Sequence, residues 1–270
     1  MRHEPGIRLA FFFAVLFAIA LWETLAPRRR RTTGRALRWS SNLGVVVIDS
    51  VVARMIVPAG VVGFALYCEA HGWGLLHALG SPLWLAVTVT VVVLDLVVYL
   101  QHVMFHAVPL LWRIHRMHHA DLDFDVTTGV RFHPLEILIS LGIKLAAVAA
   151  VGAPALGVLA FEVALNATSM FNHSNVAIPE VADRAIRMIL VTPDMHRVHH
   201  SVVVRETNSN FGFNLPWWDR LLGTYRAQPA AGHLAMTIGL DDFRDARELR
   251  LDRMLWQPLR GQPGAYPING

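Results

Sequence analysis

The sequence predicts an all-α integral membrane protein, built from about three spanning helices plus a helical hairpin and completed by a histidine-rich helical cap. Of the 270 residues, 54% are hydrophobic and only 16% are charged. A soluble domain usually carries about 25% charged residues, so this composition indicates a chain that lies in lipid. The 14 histidines are the second unusual feature, and their positions predict where the cap lies.

Three apolar runs have the length that a membrane crossing requires, which is about 20 residues for a hydrocarbon core of roughly 30 Å. The first is residues 7–25 and predicts a retained helix rather than a removable leader. The second, residues 43–68, contains Pro58 and predicts a tilted or kinked span. The third is residues 82–106, where Asp95 is the only acidic or basic side chain apart from histidine.

A fourth apolar region, residues 135–171, is too long for a single crossing. Gly152 and Pro154 interrupt it, so the sequence predicts a hairpin that enters and leaves by the same membrane face. We therefore expect residues 1–171 to hold the transmembrane helices and the first histidine boxes, and residues 172–270 to form a cytoplasmic cap. The two parts are expected to act as one functional unit.

Six arginines lie between the first two apolar runs: Arg28, Arg29, Arg30, Arg31, Arg35 and Arg38. In a soluble protein such a block would suggest nucleic acid, but between two spans it indicates a cytoplasmic loop, and no nucleic-acid partner is expected. The third helix then returns to the cytoplasm near His106, and the hairpin brings residue 172 back to the same side. The clustered histidines are therefore expected at the cytoplasmic face.

The histidines recur at helical spacing in three boxes. His102 and His106 are four residues apart, so their rings lie on one helix face. Two HxxHH boxes follow, one at residues 115–119 and one at residues 196–200. His173 stands at the exit of the hairpin. The chain has a single cysteine, Cys68, which excludes an intrachain disulfide and a thiolate metal site.

So many imidazoles on one face predict a metal centre. Protonated neighbours repel one another and buried neutral rings need partners, and a metal ion satisfies both by accepting a lone pair from each ring. Zinc prefers about four ligands, so eight or nine histidines imply two metals, or one metal with an excess of ligands. Imidazole binds zinc, copper, iron and nickel alike, so the residue types alone do not choose the metal.

Other polar side chains are candidate ligands or orienting partners. Asp95 lies two turns before His102 and is a candidate acceptor for a ring N–H, with helix packing as the alternative. Asp194 precedes the last box closely enough to orient a ring or cap its helix. Glu162 and Asn166 form, with Ser169 and His173, a polar stripe expected to face the cluster or its access route. Hydrogen bonding between helices is the alternative for that stripe.

At these residues the sequence resembles the fatty acid hydroxylase superfamily, also called the sterol desaturase family. The resemblance covers residues 95–225, nearly half of the chain. It rests on the three histidine boxes, on the short gap between the first two, and on the motifs Arg131-Phe132-His133-Pro134-x-Glu136, His173-Ser174-Asn175, Asn210-Phe211-Gly212 and Trp218-Asp219-x3-Gly223-Thr224-Tyr225.

The resemblance implies nine metal ligands: His102, His106, His115, His118, His119, His173, His196, His199 and His200. His133 matches a family position that is either a ligand or an orienting residue. Some family members carry two histidines around His173, whereas this chain has one there. One ligand of the second metal is therefore expected to be water or another residue.

The chemistry that the resemblance implies is oxidation of a lipid at two iron ions. Such a centre uses O2 and two external electrons to hydroxylate an unactivated C–H bond of a sterol, fatty acyl, ether lipid or carotenoid. Electrons are expected from a separate ferredoxin- or cytochrome-type protein with its reductase. Arg113, Arg116, Arg197 and Arg205 could dock an acidic carrier, with positive-inside topology as the alternative. The expected location is a bacterial inner membrane.

Three rival functions remain open at this stage. A lipid desaturase would use the same cluster, and the sequence does not separate it from a hydroxylase. Zinc could substitute for iron in a membrane hydrolase, although no carboxylate stands inside a box as HExxH would require. A metal transporter or sensor would place its ligands near the bilayer midplane, whereas these are expected at one face.

Overall fold

The computed structural model describes residues 4–268, and within that range the protein is all-helical and has no β-strand. The predicted fold class is confirmed. Five helical segments of the described range are long and apolar enough to cross a membrane, judged by length and composition: Arg8–Leu25, Arg35–Ala78, Leu83–Ala107, Pro134–Val151 and Ala155–Asn172. The chain is therefore a membrane protein.

The helices of the membrane part come first in the chain. They are α1 (Glu4–Leu25), α2 (Arg35–Ile56), α3 (Gly60–Ala70), α4 (Leu75–Ala78), α5 (Leu83–Ala107), α6 (Pro109–His119), α7 (Pro134–Val151) and α8 (Ala155–Asn172). Proline occupies the first position of α6 and of α7, where its missing N–H costs nothing and its fixed φ favours the helix.

Both predicted interruptions are present. Pro58 follows the end of α2 and α3 starts two residues later, as expected because the residue before proline avoids the helical region. Gly152 ends α7 in the left-handed conformation, with φ of 72°, which glycine adopts without a steric penalty. At the same end of the bundle Gly74 meets this turn, and a Cβ on Gly74 would lie 2.0 Å from the Gly152 amide nitrogen.

The second span starts earlier than the apolar run at residue 43 predicted, because α2 begins at Arg35. Its first turns are polar, yet Arg38, Ser41 and Asn42 are buried there, and Arg38 and Asn42 bond the loop that follows α6. The polar half of a helix carries no hydropathy signal when protein covers it. The apolar run therefore marks only the lipid-facing part of α2.

The core of the membrane part lies between α3, α5, α7 and α8. Val62, Leu94, Val148 and Phe161 are among its buried members. Large apolar side chains of α1, α2 and α5 point outward instead, for example Phe17, which is 65% exposed. An apolar exterior around a buried apolar core is what a bilayer environment requires.

The rest of the chain forms short helices over one end of the bundle. These are α9 (Glu180–Ile186), α10 (Pro193–His199), α11 (Val204–Thr207), α12 (Trp217–Leu221), α13 (Gly232–Ala235) and α14 (Leu251–Trp256), with 3-10 turns at Thr128–Val130, Ala246–Leu249 and Gln257–Leu259. We call residues 172–268 the cap. The division of the chain at residue 172 stays a prediction.

Candidate metal centre

The nine histidines predicted as ligands converge where α5, α6 and α8 meet the cap. Two come from the last turns of α5, three from α6, one from the residue after α8, and three from α10 and the residue that follows it. None is more than 3% exposed. They are His102, His106, His115, His118, His119, His173, His196, His199 and His200.

Among the described residues these rings form two groups. Within each group, one ligand atom per ring lies within 4.8 Å of that of every other ring. The five-histidine group is His102, His106, His115, His119 and His199, and the four-histidine group is His118, His173, His196 and His200. Each group combines residues of the membrane part with residues of the cap.

The spacing inside the five-histidine group fits a shared ion. The Nε2 atom of His119 lies 3.2 Å from that of His106 and 3.2 Å from that of His115. The Nε2 atoms of His199 and His102 are 3.0 Å apart. Two imidazole nitrogens that bind one ion at about 2.1 Å each lie roughly 3.0–3.4 Å from one another, so these rings are placed as ligands of one metal would be.

The four-histidine group has the same spacing. The Nε2 atom of His173 lies 3.1 Å from that of His118 and 3.1 Å from that of His196. Neither ring nitrogen of His200 has a hydrogen-bond partner, although the ring is fully buried. A buried polar group without a partner is costly, and a metal ion would satisfy this one. The residues present therefore fit a pair of metal ions.

Six of the nine rings are oriented through the opposite nitrogen, Nδ1. Because Nδ1–H donates to an oxygen, Nε2 carries the free lone pair and points into its group. The acceptors are the carbonyls of Phe211 for His102, Arg131 for His118, Ser169 for His173 and Ser209 for His199, and the side chains of Asn208 for His106 and Glu136 for His115.

The environment keeps the rings neutral, which is the form that binds metal. Burial lowers the pKa of His173 to about 3. Burial, followed by the neighbouring imidazoles, holds the pKa of His118, His119 and His199 well below 6.5. A neutral ring offers its lone pair without first losing a proton.

Among the described residues, Glu136 is the one carboxylate that contacts a ring of either group directly through Nδ1. Its Oε1 atom lies 2.7 Å from Nδ1 of His115, and the side chain is buried at the start of α7. A carboxylate in this position fixes the ring and makes its other nitrogen a stronger ligand.

We expect Glu136→Gln to weaken metal binding at the five-histidine group by about 10- to 100-fold, because a neutral amide replaces the charged acceptor of His115. Competition against a chelator measures the affinity. The matched control is Glu180→Gln, because Glu180 is exposed and its ion pair, among the residues described, is with the exposed Arg184. Equal affinities for the two variants would contradict the role of Glu136.

His133 lies outside both groups. Its Nδ1 accepts from the Leu135 amide and caps α7, and its Nε2 lies 3.2 Å from the Leu255 carbonyl. Both ring nitrogens are thus engaged away from the centre. The structure favours neither the ligand role nor the orienting role considered for this residue, and places it as a helix cap.

Asp95 is not an acceptor for a histidine ring. Its Oδ2 atom accepts from the Trp218 indole at 2.8 Å and from the Leu215 amide at 3.2 Å, while His102 donates to a backbone carbonyl instead. The helical spacing predicted the correct face of α5, but residues 211–218 of the cap pack beside Asp95 there. Asp95 therefore fixes the cap to α5.

Asp194 has a similar outcome. It pairs with Arg28 at 3.0 Å and with Arg197, and the helix cap of α10 is Thr192, which accepts from the Met195 amide. Asp194 is thus neither the cap of α10 nor hydrogen-bonded to a ligand ring in the structure. The carboxylate joins the arginine-rich loop to the last histidine box.

The polar stripe on α8 does not face the cluster as a whole. Glu162 pairs with Arg8 at 2.7 Å and Lys144 at 3.3 Å. Asn166 is exposed and donates to the Glu162 carbonyl of its own helix, and Ser169 donates to the Gly129 carbonyl. Only His173 reaches the centre, so hydrogen bonding within and between helices accounts for the rest.

Two of the four arginines considered for docking an electron donor are buried. Arg116 is 1% exposed and Arg197 is 0% exposed. Arg116 donates to the carbonyls of Gln257 and Gln262, and Arg197 donates to Ser174. Arg113 is half-buried and Arg205 is exposed, so only these two remain available for docking.

Sequence reasoning missed most of the groups that orient the rings. Glu136 stood within the motif around His133, and its place three residues after a predicted ligand or orienting residue was the available signal. The carbonyls of Ser209, Phe211 and Arg131 carry no sequence signal, because every residue has a carbonyl and only the fold decides where it points.

The chain belongs to the fatty acid hydroxylase family. The family model for fatty acid hydroxylases matches residues 87–224, which include the nine histidines and the residues that orient them. The recognition of this superfamily from the histidine boxes is confirmed.

The curated relatives include lipid-oxidising enzymes. The chain is 33% identical over 149 residues to the ornithine lipid hydroxylase OlsE of Rhizobium tropici, which covers 55% of this chain and 44% of that protein. It is 30% identical over 169 residues to the alkylglycerol monooxygenase of Homo sapiens, covering 62% of this chain and 37% of that enzyme. The alkylglycerol monooxygenase of Xenopus tropicalis is 25% identical over 167 residues.

The matched region spans less than half the length of these relatives. No solved structure matches the chain.

Proposed function

We propose that the protein is a membrane-bound non-haem di-iron oxygenase that hydroxylates an unactivated C–H bond of a lipid-like substrate. The observation that carries this proposal is the pair of buried histidine groups, with five and four rings, side by side at one end of the membrane bundle. Two iron ions held there would supply the reduction of O2 and the removal of hydrogen from the C–H bond.

Membership of the fatty acid hydroxylase family supports iron over zinc, and the donor set accommodates either. The nine rings would serve as ligands, and the four-histidine group leaves its ion with one protein ligand fewer than its neighbour. That difference agrees with the single histidine in the segment around His173. It also leaves room for a further ligand at the second ion.

The residues around the two groups are suited to a water-poor reaction. Phe132 stacks on His118 with ring centroids 4.5 Å apart, and Phe213 lies 5.2 Å from His102. Both phenylalanines also pack against the apolar core between α3, α5, α7 and α8. An apolar chain approaching from the membrane would contact these two phenylalanines. By excluding water, the phenylalanines would protect a strong oxidant from side reactions.

The substrate is proposed to be a membrane lipid, because the relatives are named for ornithine lipid and alkylglycerol. Electrons would come from a separate donor protein that docks on the cap. By the positive-inside rule the arginine-rich loop of residues 28–38 and the metal centre lie on the cytoplasmic side, and a bacterial inner membrane fits this arrangement.

The alternative is a lipid desaturase that uses the same centre and removes a second hydrogen instead of returning a hydroxyl. A zinc hydrolase is less well supported, because Glu136, the carboxylate on the rings, is engaged with His115 and not free to act as a base. A transporter is disfavoured because the ligands lie at the ends of the helices rather than at mid-span.

The test is reaction of the purified iron-loaded protein with membrane lipid extract, a reductant and 18O2, followed by mass spectrometry. We expect a lipid that gains one 18O atom, formed only when reductant and O2 are both present. A product that loses two hydrogens without gaining oxygen would establish the desaturase. Hydrolysis without O2 would contradict both.

A further inference from the structure

One short segment of the cap supplies the acceptors for three of the five rings in the five-histidine group. The side chain of Asn208 lies 3.0 Å from Nδ1 of His106. The Ser209 carbonyl lies 2.7 Å from Nδ1 of His199, and the Phe211 carbonyl lies 2.8 Å from Nδ1 of His102. We call residues 208–212 the strap. Its position decides how these three rings are turned.

The carboxylate of Asp219, in α12, holds the strap in place. Asp219 accepts from the amides of Phe211 at 2.8 Å and Gly212 at 2.9 Å, and it is fully buried. The Gly212 N–H and the Phe211 carbonyl belong to one peptide group. The N–H of that peptide donates to the Asp219 carboxylate, and its carbonyl accepts from the His102 ring.

A hydrogen-bonded peptide polarises along its length. The Asp219 carboxylate, which accepts from the N–H side, makes the Phe211 carbonyl a stronger acceptor for His102 Nδ1–H. A stronger acceptor increases the basicity of the metal-facing nitrogen, as a directly bonded carboxylate does. His115 bonds the carboxylate of Glu136 directly. His102 is connected to the carboxylate of Asp219 through one intervening peptide group.

The backbone of the strap is built for this close approach. A Cβ on Gly212 would lie 2.8 Å from Asp219 Oδ2 and 2.9 Å from the Leu215 carbonyl. Asn210 adopts a left-handed backbone with φ of 54°, and its side chain bonds the Met195 and Arg226 carbonyls, each at 2.8 Å. The backbone conformation of the strap thus requires glycine at position 212 and favours asparagine at position 210.

Two rings of the four-histidine group, those of His118 and His173, are oriented without the strap. His118 donates to the Arg131 carbonyl and His173 to the Ser169 carbonyl of its own helix. A change in the strap should therefore weaken metal binding at the five-histidine group more than at the four-histidine group.

We propose that the strap, residues 208–212, orients the five-histidine group, and that Asp219 is the positioning residue that sets the orientation and basicity of His102 through the Phe211–Gly212 peptide. This inference rests on the proposed two-metal centre. It assigns a role to the motifs around Asn210 and Asp219, which contain no ligand.

The test is a titration of metal-free protein with Co2+, followed by its visible absorption. For the native chain we expect two binding events. For Asp219→Asn we expect one of them to weaken by about 10- to 100-fold, because the amide NH2 would face a backbone N–H, while the other keeps its affinity. Repeating the titration in His118→Ala and His119→Ala backgrounds, which disable one group each, identifies the weakened group.

The matched control is Tyr99→Phe. The Tyr99 hydroxyl reaches Asp219 only through Thr224, at 2.8 Å from the Thr224 hydroxyl, so its loss leaves both strap amides bonded. We expect native affinities at both events. Gly212→Ala displaces the strap without removing a charge and should reproduce the selective loss, which provides a second route if Asp219→Asn fails to fold.

Two native binding events with unchanged affinities in Asp219→Asn and Gly212→Ala would overturn the strap inference alone. Equal weakening of both events would overturn it as well, since Asp219 would then support the whole cap. No binding to the native chain would overturn the proposed metal centre itself.

Discussion

Replacing His119 with alanine should remove the metal from the five-histidine group and lower turnover by at least about 10- to 100-fold. His119 contacts the Nε2 atoms of both His106 and His115, which makes it central to the group. Its Nδ1 atom has no hydrogen-bond partner, so the ring makes its hydrogen-bond contacts only within the five-histidine group. Since loss of an orienting partner alone costs 10- to 100-fold, loss of the ligand should cost at least as much. Metal content and the lipid assay measure the effect.

The control for that variant is His133→Asn. Asparagine retains a good helix cap for α7, and both ring nitrogens of His133 are engaged outside the two groups. We expect this variant to keep its metals and most of its activity. Loss of a metal in His133→Asn, together with its retention in His119→Ala, would reverse the assignment of the two residues.

The largest expected effect on stability comes from Arg38→Met. Arg38 is fully buried and bonds Asp121 at 2.7 Å and Asp125 at 2.6 Å, which links α2 to the loop after α6. Burial would raise the pKa of Asp121, but the adjacent Arg38 and its hydrogen bonds lower it to about 2, so the carboxylate is charged. Without Arg38 two buried carboxylates lose their main partner, at a cost of about 3–5 kcal/mol.

Arg35→Met is the matched control, because it makes the same change one turn earlier on α2. Arg35 is partly exposed, and its nitrogen lies 3.7 Å from Glu23. Glu23 is buried but also accepts from the amides of Val126 and Asn175, so it keeps partners when Arg35 is lost and the cost should be much smaller than for Arg38. Thermal denaturation in detergent should show a decrease on the order of 10 °C for Arg38→Met and little change for Arg35→Met. Equal midpoints would contradict the structural role of Arg38.

The spans were predictable because lipid imposes a length and an apolar composition on each. The break at Gly152 and Pro154 and the one at Pro58 follow from backbone chemistry that any context preserves. The start of α2 at Arg35 was not predictable, because its polar turns are covered by the loop after α6. The arginine block indicated only the topology of the loop. It did not reveal that Arg28 and Arg38 pair with buried carboxylates.

The positions of the nine histidines were predictable because the spacing of each box places its rings on one helix face. The partition into groups of five and four was not, since it depends on how α5, α6 and α10 cross. Asp95 and Asp194 show the limit of such reasoning. Spacing locates the face from which a carboxylate projects, but its partner comes from a distant segment, Leu215 and Trp218 for Asp95 and Arg28 for Asp194.

The metal content of the purified protein tests the two-metal centre most directly. The protein would be prepared in detergent from iron-supplemented cells, beside a variant that combines His118→Ala and His199→Ala and so loses one ring from each group. We expect about two irons per native chain, and loss of both from the variant. A native chain without bound metal, or a variant with the native content, would contradict the assignment of the histidines as ligands.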